Sequence, residues 1–200
     1  ISAWICSVIG LGGCDDSRLA WYVILATIPV GLVGIILPDS IENALRSPLL
    51  IAASTIVFAL LLWFAEKQAK EIRSTITLLD AIVIGLFQAI ALIPGTSRSG
   101  ITITAGLMTG LKREHAARFS FLLSIPVIAL AGMLKGVELY KTAEPVSWDL
   151  ILIAVSLSTI VAYLSIGWFL KLLDKIGMMP FVFYRLVLGI LLISVFFGQF

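Results

Sequence analysis

A short polar segment, PGTSRSG at residues 94–100, interrupts an otherwise apolar part of the chain. Its two serines and its threonine carry hydroxyl groups, and Arg98 carries a permanently charged fork of N–H donors that suits phosphate oxygens. Pro94 and Gly95 end the preceding helix, and the next helix is expected to begin at residues 99 to 101, so that its unpaired N–H groups and positive dipole end face the turn. This combination predicts an anion site shaped for phosphate.

The alternative is that the segment serves only helix packing, because small residues let membrane helices approach closely. The continuation GITITAGLMTG would then present Gly100, Gly106 and Gly110 to a neighbouring helix. Arg98 argues against packing as the whole explanation, because a central arginine costs about 2.5 to 3.5 kcal/mol to insert even on translocon scales. A soluble-type phosphate loop is excluded, since the sequence lacks the P-loop pattern with its Gly-Lys-Ser/Thr ending.

The composition places this segment in a membrane protein. Of the 200 residues, 60% are hydrophobic and 13% are charged, far from the balance of a soluble domain. Apolar windows close to the span of a bilayer core, about 20 residues, occur at 19–37, 48–65, 119–134, 149–170 and 181–198. We therefore predict an all-α fold, a polytopic bundle of membrane helices. The net charge of only +2 gives no reason to expect a nucleic acid partner.

Residues 75–111 are predicted to form a re-entrant helical hairpin. The first limb, TITLLDAIVIGLFQAIALI, carries the polar residues Asp80 and Gln88. The second limb, GITITAGLMTGL, has 12 residues, or about 18 Å of helix, and is too short to cross a bilayer. A hairpin with PGTSRSG at its tip accommodates both limbs, provided that protein or a water-filled cavity satisfies the backbone of the turn.

The basic residues agree with a hairpin. The flanking segments EKQAKEIRS and KREHAAR hold three basic residues each, so both flanks are expected on the cytoplasmic side. Alternation of the spans then leaves Arg46, Lys135 and Lys141 outside. Nine basic residues fall inside: Arg18, Lys67, Lys70, Arg73, Lys112, Arg113, Arg118, Lys171 and Lys175.

The block GLFQAIALIPGTSRSGITITAGLMTGLKREHAARFSFLLSIP, residues 85–126, resembles the second signature of the undecaprenyl-diphosphate phosphatases, also called the bacitracin-resistance proteins. The order Gln, Ala, Pro-Gly-x-Ser-Arg-Ser-Gly and then Arg-Phe-Ser-Phe-Leu-Leu-x-x-Pro is highly specific to that family. Similar hydropathy and spacing run through PFVFYR at residues 180–185 and back to about residue 19. The resemblance therefore covers nearly the whole chain.

The resemblance implies a multi-pass enzyme of the bacterial inner membrane. Its substrate would be a polyprenyl diphosphate lipid, whose terminal phosphate it removes to recycle the undecaprenyl phosphate carrier for peptidoglycan synthesis. The implied architecture pairs two inverted repeats, each with a re-entrant hairpin, and this chain would hold the second repeat. A homodimer is compatible with this architecture. Because the same architecture serves transport, the alternative is a transporter or lipid scramblase with a midplane anion site.

Family roles carry over onto matching positions of the tip. Arg98 would bind the diphosphate, and Ser97 would be either the nucleophile or a phosphate ligand. The remaining substrate-binding candidates are Gly95, Thr96, Ser99, Gly100 and Gln88. Gln88 occupies the place at which the other hairpin of the family carries its acidic motif.

The resemblance also implies a divalent metal, Mg or Ca, held by an acidic (E/Q)xxxE signature that this sequence lacks. Because the chain begins with Ile1 rather than Met, we expect residues 1–200 to be a single membrane domain that is a fragment, with the metal ligands in an upstream repeat. This chain alone is then expected to be an incomplete phosphatase. The base for Ser97 would come from the same repeat or from metal-bound water.

Three further residues have simpler expectations. His115 lies in a basic stretch and is expected to be a solvated surface histidine rather than a base. Asp80 is expected near the interface, at the mouth of the first limb. Arg185, at the start of the last span, is expected to snorkel to the interface rather than reach the site.

Overall fold

The computed structural model describes residues 15–36, 47–70, 72–141 and 147–197. Within these ranges the secondary structure is helical, without strands, which confirms the all-α prediction. Seven helices follow in order: α1 (Asp15–Ile36), α2 (Pro48–Gln68), α3 (Leu78–Ile90), α4 (Arg98–Met108), α5 (Arg113–Lys141), α6 (Trp148–Ile176) and α7 (Met179–Phe197).

Five of these helices, α1, α2, α5, α6 and α7, are long and apolar enough to cross a membrane. They coincide with the five predicted windows, so the polytopic membrane bundle is confirmed. Several helices extend beyond their windows because polar first and last turns continue the helix. At the start of α5, for example, Arg118 pairs with Glu114 one turn earlier. Arg46 and the final residues of the first and last windows lie outside the described residues.

The helices α3 and α4 form the hairpin. They have 13 and 11 residues, or about 20 and 16 Å of helix, and neither can cross a hydrocarbon core of about 30 Å. The two ends of the hairpin lie side by side, because the N–H of Lys112 donates to the carbonyl of Arg73 at 2.9 Å. The N–H of Arg73 in turn donates to the carbonyl of Gly110 at 3.1 Å. The chain therefore leaves the hairpin beside the point at which it enters.

A buried ion pair fixes this base. The two guanidinium nitrogens of Arg73 donate to the two carboxylate oxygens of Asp80 at 2.9 and 3.0 Å, and one of them also donates to the carbonyl of Thr109 at 2.5 Å. Asp80 is fully buried and forms a capping box with Thr77 at the start of α3. The hydrogen bond to Asp80 raises the pKa of Arg73, against the smaller opposing effect of burial. Asp80 thus lies at the mouth of the first limb, as expected, but inside an ion pair.

Helix α4 is the centre of the bundle. Its residues from Ile101 to Leu107 are all buried, and the helix packs against α2, α3 and α5. A Cβ at Gly106 would lie 2.8 Å from the Cβ of Ala116, so Gly106 serves close packing with α5. Gly110 meets nothing within 4 Å, and Gly100 borders Ser97 and Arg185 instead of a helix backbone. Packing therefore accounts for only part of the polar segment.

Candidate functional site

The tip of the hairpin is a turn in which two residues have left-handed backbone conformations. Gly95 has φ +89° and Ser97 has φ +65°, a conformation that costs an ordinary L-residue about 1 to 2 kcal/mol. Ser97 is the N-cap of α4, and its Oγ accepts a hydrogen bond from the N–H of Gly100 at 3.3 Å. The helix therefore begins at Arg98, slightly before the predicted start. Ser97 is exposed although its neighbours are partly or fully buried.

The turn presents N–H groups that lack acceptors. In the described part of the chain, the N–H groups of Gly95, Arg98 and Ser99 have no hydrogen-bond acceptor, whereas that of Thr96 donates to the carbonyl of Ile93 at 3.2 Å. Two of the three unpaired groups belong to the first turn of α4, at the positive end of its dipole. An anion at this point would satisfy them.

Arg98 lies half-buried at the tip, and its Nη1 is buried without a hydrogen-bond partner among the described residues. A guanidinium group in this position is costly unless something anionic compensates it. The predicted phosphate is one group that would do so, because guanidinium and phosphate form paired, charge-assisted hydrogen bonds.

Arg185 of α7 also reaches the tip. Its Nη2 donates to the carbonyl of Gly95 at 2.6 Å, and its Nη1 lies 3.0 Å from the position that a Cβ at Gly100 would take. The expectation that Arg185 snorkels to the interface is therefore wrong. The signal that could have placed it correctly is its position inside an apolar span, since an intramembrane charge is a functional-site candidate by default.

One cavity of about 400 Å³ opens at the tip. Its polar part is formed by the turn, with Gly95, Ser97, Ser99 and Gly100, and by Thr55, Tyr184 and Arg185. The rest of its wall is mainly apolar and comes from α2, α4, α6 and α7. This apolar wall consists of Ile51, Leu62, Ile103, Phe169, Met178, Phe181, Leu188 and Leu192. The cavity thus has the polarity of an amphiphile: one charged end and a hydrocarbon-like wall.

The structure brings together four of the predicted site residues, Gly95, Ser97, Ser99 and Gly100, along this cavity. Thr96 is fully buried, and its Oγ1 has no partner among the described residues. Gln88 is also fully buried and faces α1, where its Nε2 lies 3.4 Å from the carbonyl oxygen of Ala26. Thr96, Gln88 and Arg98 do not line the cavity, and their binding roles stay predictions.

No carboxylate or histidine is among the described residues that line the cavity. Glu66 is engaged at the other end of α2, where it forms an ion pair with Arg113 at 3.1 Å and accepts a hydrogen bond from the N–H of Met178 at 2.8 Å. His115 is half-buried rather than fully solvated, with a buried Nδ1, and lies outside the cavity wall. Within the described ranges no cluster of three or more His, Cys, Asp or Glu forms, so these residues do not fit a metal site. The divalent metal stays a prediction.

Known proteins provide an independent comparison. The family model described as "Bacitracin resistance protein BacA" matches residues 5–191. The protein named undecaprenyl-diphosphatase from Teredinibacter turnerae is 53% identical over 194 residues, which are 96% of this chain and 74% of the relative. The protein of the same name from Nitrosococcus oceani is 53% identical over 195 residues, with 96% and 74% covered. Undecaprenyl-diphosphatase 1 from Pseudoalteromonas translucida is 50% identical over 195 residues, with 96% and 73% covered.

The match extends over almost the whole chain and includes the tip, the flanking helices and α7 with Arg185. The chain belongs to the bacitracin resistance protein BacA family.

Proposed function

We propose that this multi-pass membrane protein hydrolyses undecaprenyl diphosphate to undecaprenyl phosphate and inorganic phosphate, and so recycles the lipid carrier for cell-wall synthesis in the bacterial inner membrane. The observation that carries the proposal is the cavity at the hairpin tip. Its polar end includes the side chains of Ser97 and Arg185, and the rest of its wall is mainly apolar. The names of the relatives support the same substrate.

Hydrolysis breaks the bond between the terminal phosphorus and the bridging oxygen. The oxygen of water joins the released phosphate, and the bridging oxygen stays on the lipid monophosphate. Negative charge must be neutralised on the transferred group and on the leaving oxygen. Arg98, Arg185 and the unpaired N–H groups of the turn would supply this neutralisation in an environment of low dielectric constant, where such donors are most effective.

Ser97 has two possible roles, and its geometry suits both. As a nucleophile, its Oγ would attack the terminal phosphorus and expel the lipid monophosphate, and water would then hydrolyse the phosphoserine. As a ligand, its hydroxyl would hold a phosphate oxygen while water attacks directly. In either case a base must take a proton, and it would come from residues outside those described at the cavity. A divalent metal, Mg or Ca, would supply further charge neutralisation when bound.

The apolar wall would accept the part of the prenyl chain next to the diphosphate. Burying hydrocarbon yields about 25 cal/mol per Å². Phe169 and Phe181 contact each other with tilted rings, 4.9 Å between ring centres, and Phe121 adds an edge contact with Phe169 at 5.4 Å. An apolar wall of this kind favours a lipid diphosphate over free pyrophosphate.

The test is phosphate release from undecaprenyl diphosphate by the intact protein, purified and reconstituted in vesicles. We expect turnover with the lipid diphosphate and much slower release from inorganic pyrophosphate. Movement of a labelled lipid diphosphate between leaflets without phosphate release would instead support the transporter or scramblase alternative. A homodimer is a separate proposal, and the mass of the detergent-solubilised particle tests it.

A further inference from the structure

Two adjacent hydroxyl residues in the middle of an apolar span contact the tip of the hairpin. Ser54 and Thr55 are buried residues of α2. The Oγ of Ser54 donates to the carbonyl of Pro94 at 2.6 Å, and the Oγ1 of Thr55 lies 3.2 Å from the carbonyl oxygen of Gly95. Both bonds connect residues 40 positions apart in the chain. They join a membrane span to the turn that carries the candidate site.

Each hydroxyl has one hydrogen, so the competing acceptors matter. Ser54 is nearer to Pro94 than to Ile51, whose carbonyl oxygen lies at 3.0 Å, so its hydrogen serves the tip. Thr55 is nearer to Ile51, at 2.7 Å, and contributes less to Gly95. The carbonyl of Gly95 has a second donor, the guanidinium of Arg185 at 2.6 Å.

The turn is seated directly on α2. A Cβ at Gly95 would collide with Ser54 Oγ and would lie 2.5 Å from the carbonyl oxygen of Ile51 and 2.9 Å from Thr55 Oγ1. Real Cβ atoms do not approach so closely, which leaves no room for a side chain at this position. Only glycine combines this contact with the φ of +89° that the turn requires.

The direction of the Pro94 carbonyl controls the direction of the Gly95 N–H, whereas the N–H after the Gly95 carbonyl, that of Thr96, is already bonded to the carbonyl of Ile93. The described peptide bonds are all trans, and in a trans peptide the C=O and the following N–H point to opposite sides. When α2 holds the carbonyl of Pro94, the unpaired N–H of Gly95 is directed away from α2. The carbonyl oxygens of Pro94 and Gly95, which would repel an anion, are held against α2 and α7.

We propose that Ser54 and Thr55 are positioning residues: they hold the carbonyl oxygens of Pro94 and Gly95 away from the phosphate, and Ser54 thereby directs the N–H of Gly95 toward it. The proposal rests on the proposed phosphatase function. It makes Ser54 the stronger partner, because its hydrogen bond to the tip is the shorter one. Ser54 is not among the residues that line the cavity, whereas Thr55 is, so Ser54 is the residue that must act without touching the substrate.

The test compares Ser54→Ala and Thr55→Val with matched controls in the intact protein. Thr27→Val removes a buried hydroxyl that bonds to the carbonyl of Val23 within α1. Ser124→Ala removes a partly buried hydroxyl that bonds to the carbonyl of Phe121 within α5. We expect kcat for undecaprenyl diphosphate to fall about tenfold in Ser54→Ala and about threefold in Thr55→Val, because small misplacements of a reacting group are costly. Both controls should stay within about twofold, and Thr55→Ser should restore the activity that Thr55→Val loses.

A second readout separates positioning from general damage and from failure of the function itself. The parent and the variants are titrated with a non-hydrolysable prenyl methylenediphosphonate, and the ³¹P NMR shift of the bound probe is recorded. We expect weaker binding and a changed shift in Ser54→Ala, with a thermal midpoint equal to that of Ser124→Ala. Parent-like kcat, binding and shift in the double variant Ser54→Ala/Thr55→Val would overturn the proposal. If the parent binds the probe but does not hydrolyse the lipid, the phosphatase function fails while the probe still tests the positioning role.

Discussion

The guanidinium groups of Arg98 and Arg185 at the tip differ in their hydrogen-bond partners. Arg185 donates to the carbonyl of Gly95, so part of its hydrogen-bonding capacity is committed to the turn. Arg98 has a buried Nη1 without a partner among the described residues. Arg185 lines the cavity and Arg98 does not, so an incoming phosphate would first meet Arg185, and the unpaired Nη1 of Arg98 would bind phosphate only after its side chain turns toward the cavity.

Arg98→Ala should abolish most of the activity. The change removes charge-assisted hydrogen bonds that the transition state needs, so we expect a loss of about a hundredfold or more. Arg98→Lys should rescue little, because a single ammonium cannot reproduce the paired donors of a guanidinium. Both variants should still fold, since neither makes the tip more costly to bury. Phosphate release at saturating lipid is the measurement, and a rate within a few-fold of the parent would make packing the better explanation of the segment.

Ser97→Ala distinguishes the two roles of the serine. Loss of a nucleophile should eliminate turnover, whereas loss of a phosphate ligand costs about 1.5 to 3 kcal/mol, or roughly ten- to a hundredfold in rate. The same change removes the N-cap of α4 and should lower the free energy of unfolding by about 1 kcal/mol. Trapping of phosphoserine in the parent after rapid acid quenching would assign the nucleophile, and its absence at full turnover would assign the ligand.

Gly95→Ala tests the close contact between the turn and α2. A methyl group there meets Ser54 and Thr55 and must adopt φ near +89°, so we expect loss of activity and a lower thermal midpoint. Gly34→Ala in α1 is the matched control, because a Cβ at Gly34 meets nothing within 4 Å. A parent-like rate for Gly95→Ala would show that the turn can shift without consequence.

The hairpin could be predicted from the sequence because its signals are local. The second limb is too short to cross a bilayer, and the basic flanks match, so length and charge together indicate that the chain returns to one side. The partners of the turn could not be predicted in this way. Ser54 and Thr55 read as small polar residues of an ordinary span, and Arg185 reads as an interfacial charge, until folding brings them across 40 and 90 residues to the turn.

The ion pair between Arg73 and Asp80 should stabilise the base of the hairpin. Arg73→Ala leaves the fully buried carboxylate of Asp80 without its cation. We expect the free energy of unfolding to fall by about 3 kcal/mol. This is the lower end of the range for a broken buried ion pair, because Arg73 is partly exposed. The double variant Arg73→Ala/Asp80→Asn removes the buried charge as well and should recover part of the loss. Chemical unfolding in detergent measures both. Equal stability of Arg73→Ala and the parent would contradict a clamp at this point.

At the scale of the whole molecule, burial is uneven among the helices. The span of α6 has no buried residues in its most apolar window, whereas α4 is buried continuously from Ile101 to Leu107. An apolar helix without protein cover can face lipid directly. A helix with polar ends at membrane depth needs protein around it, because its backbone groups require hydrogen-bond partners. The orientation of the hairpin decides on which side of the membrane its tip opens.

Cysteine labelling tests that orientation. Lys70 and Lys112 are exposed and flank the hairpin, and the N–H of Lys112 donates to the carbonyl of Arg73. The two flanks therefore lie together, and cysteines at 70 and 112 should react with a membrane-impermeant maleimide from the same, cytoplasmic side. Cys6 and Cys14 are first replaced by serine to remove background reaction. A cysteine at the exposed Lys141, beyond the next span, is the control and should react only from the opposite side. If cysteines at 70 and 112 reacted from opposite sides, residues 75–111 would cross the membrane once. The segment PGTSRSG would then not be the tip of a hairpin, and the phosphate site proposed there would have to be abandoned.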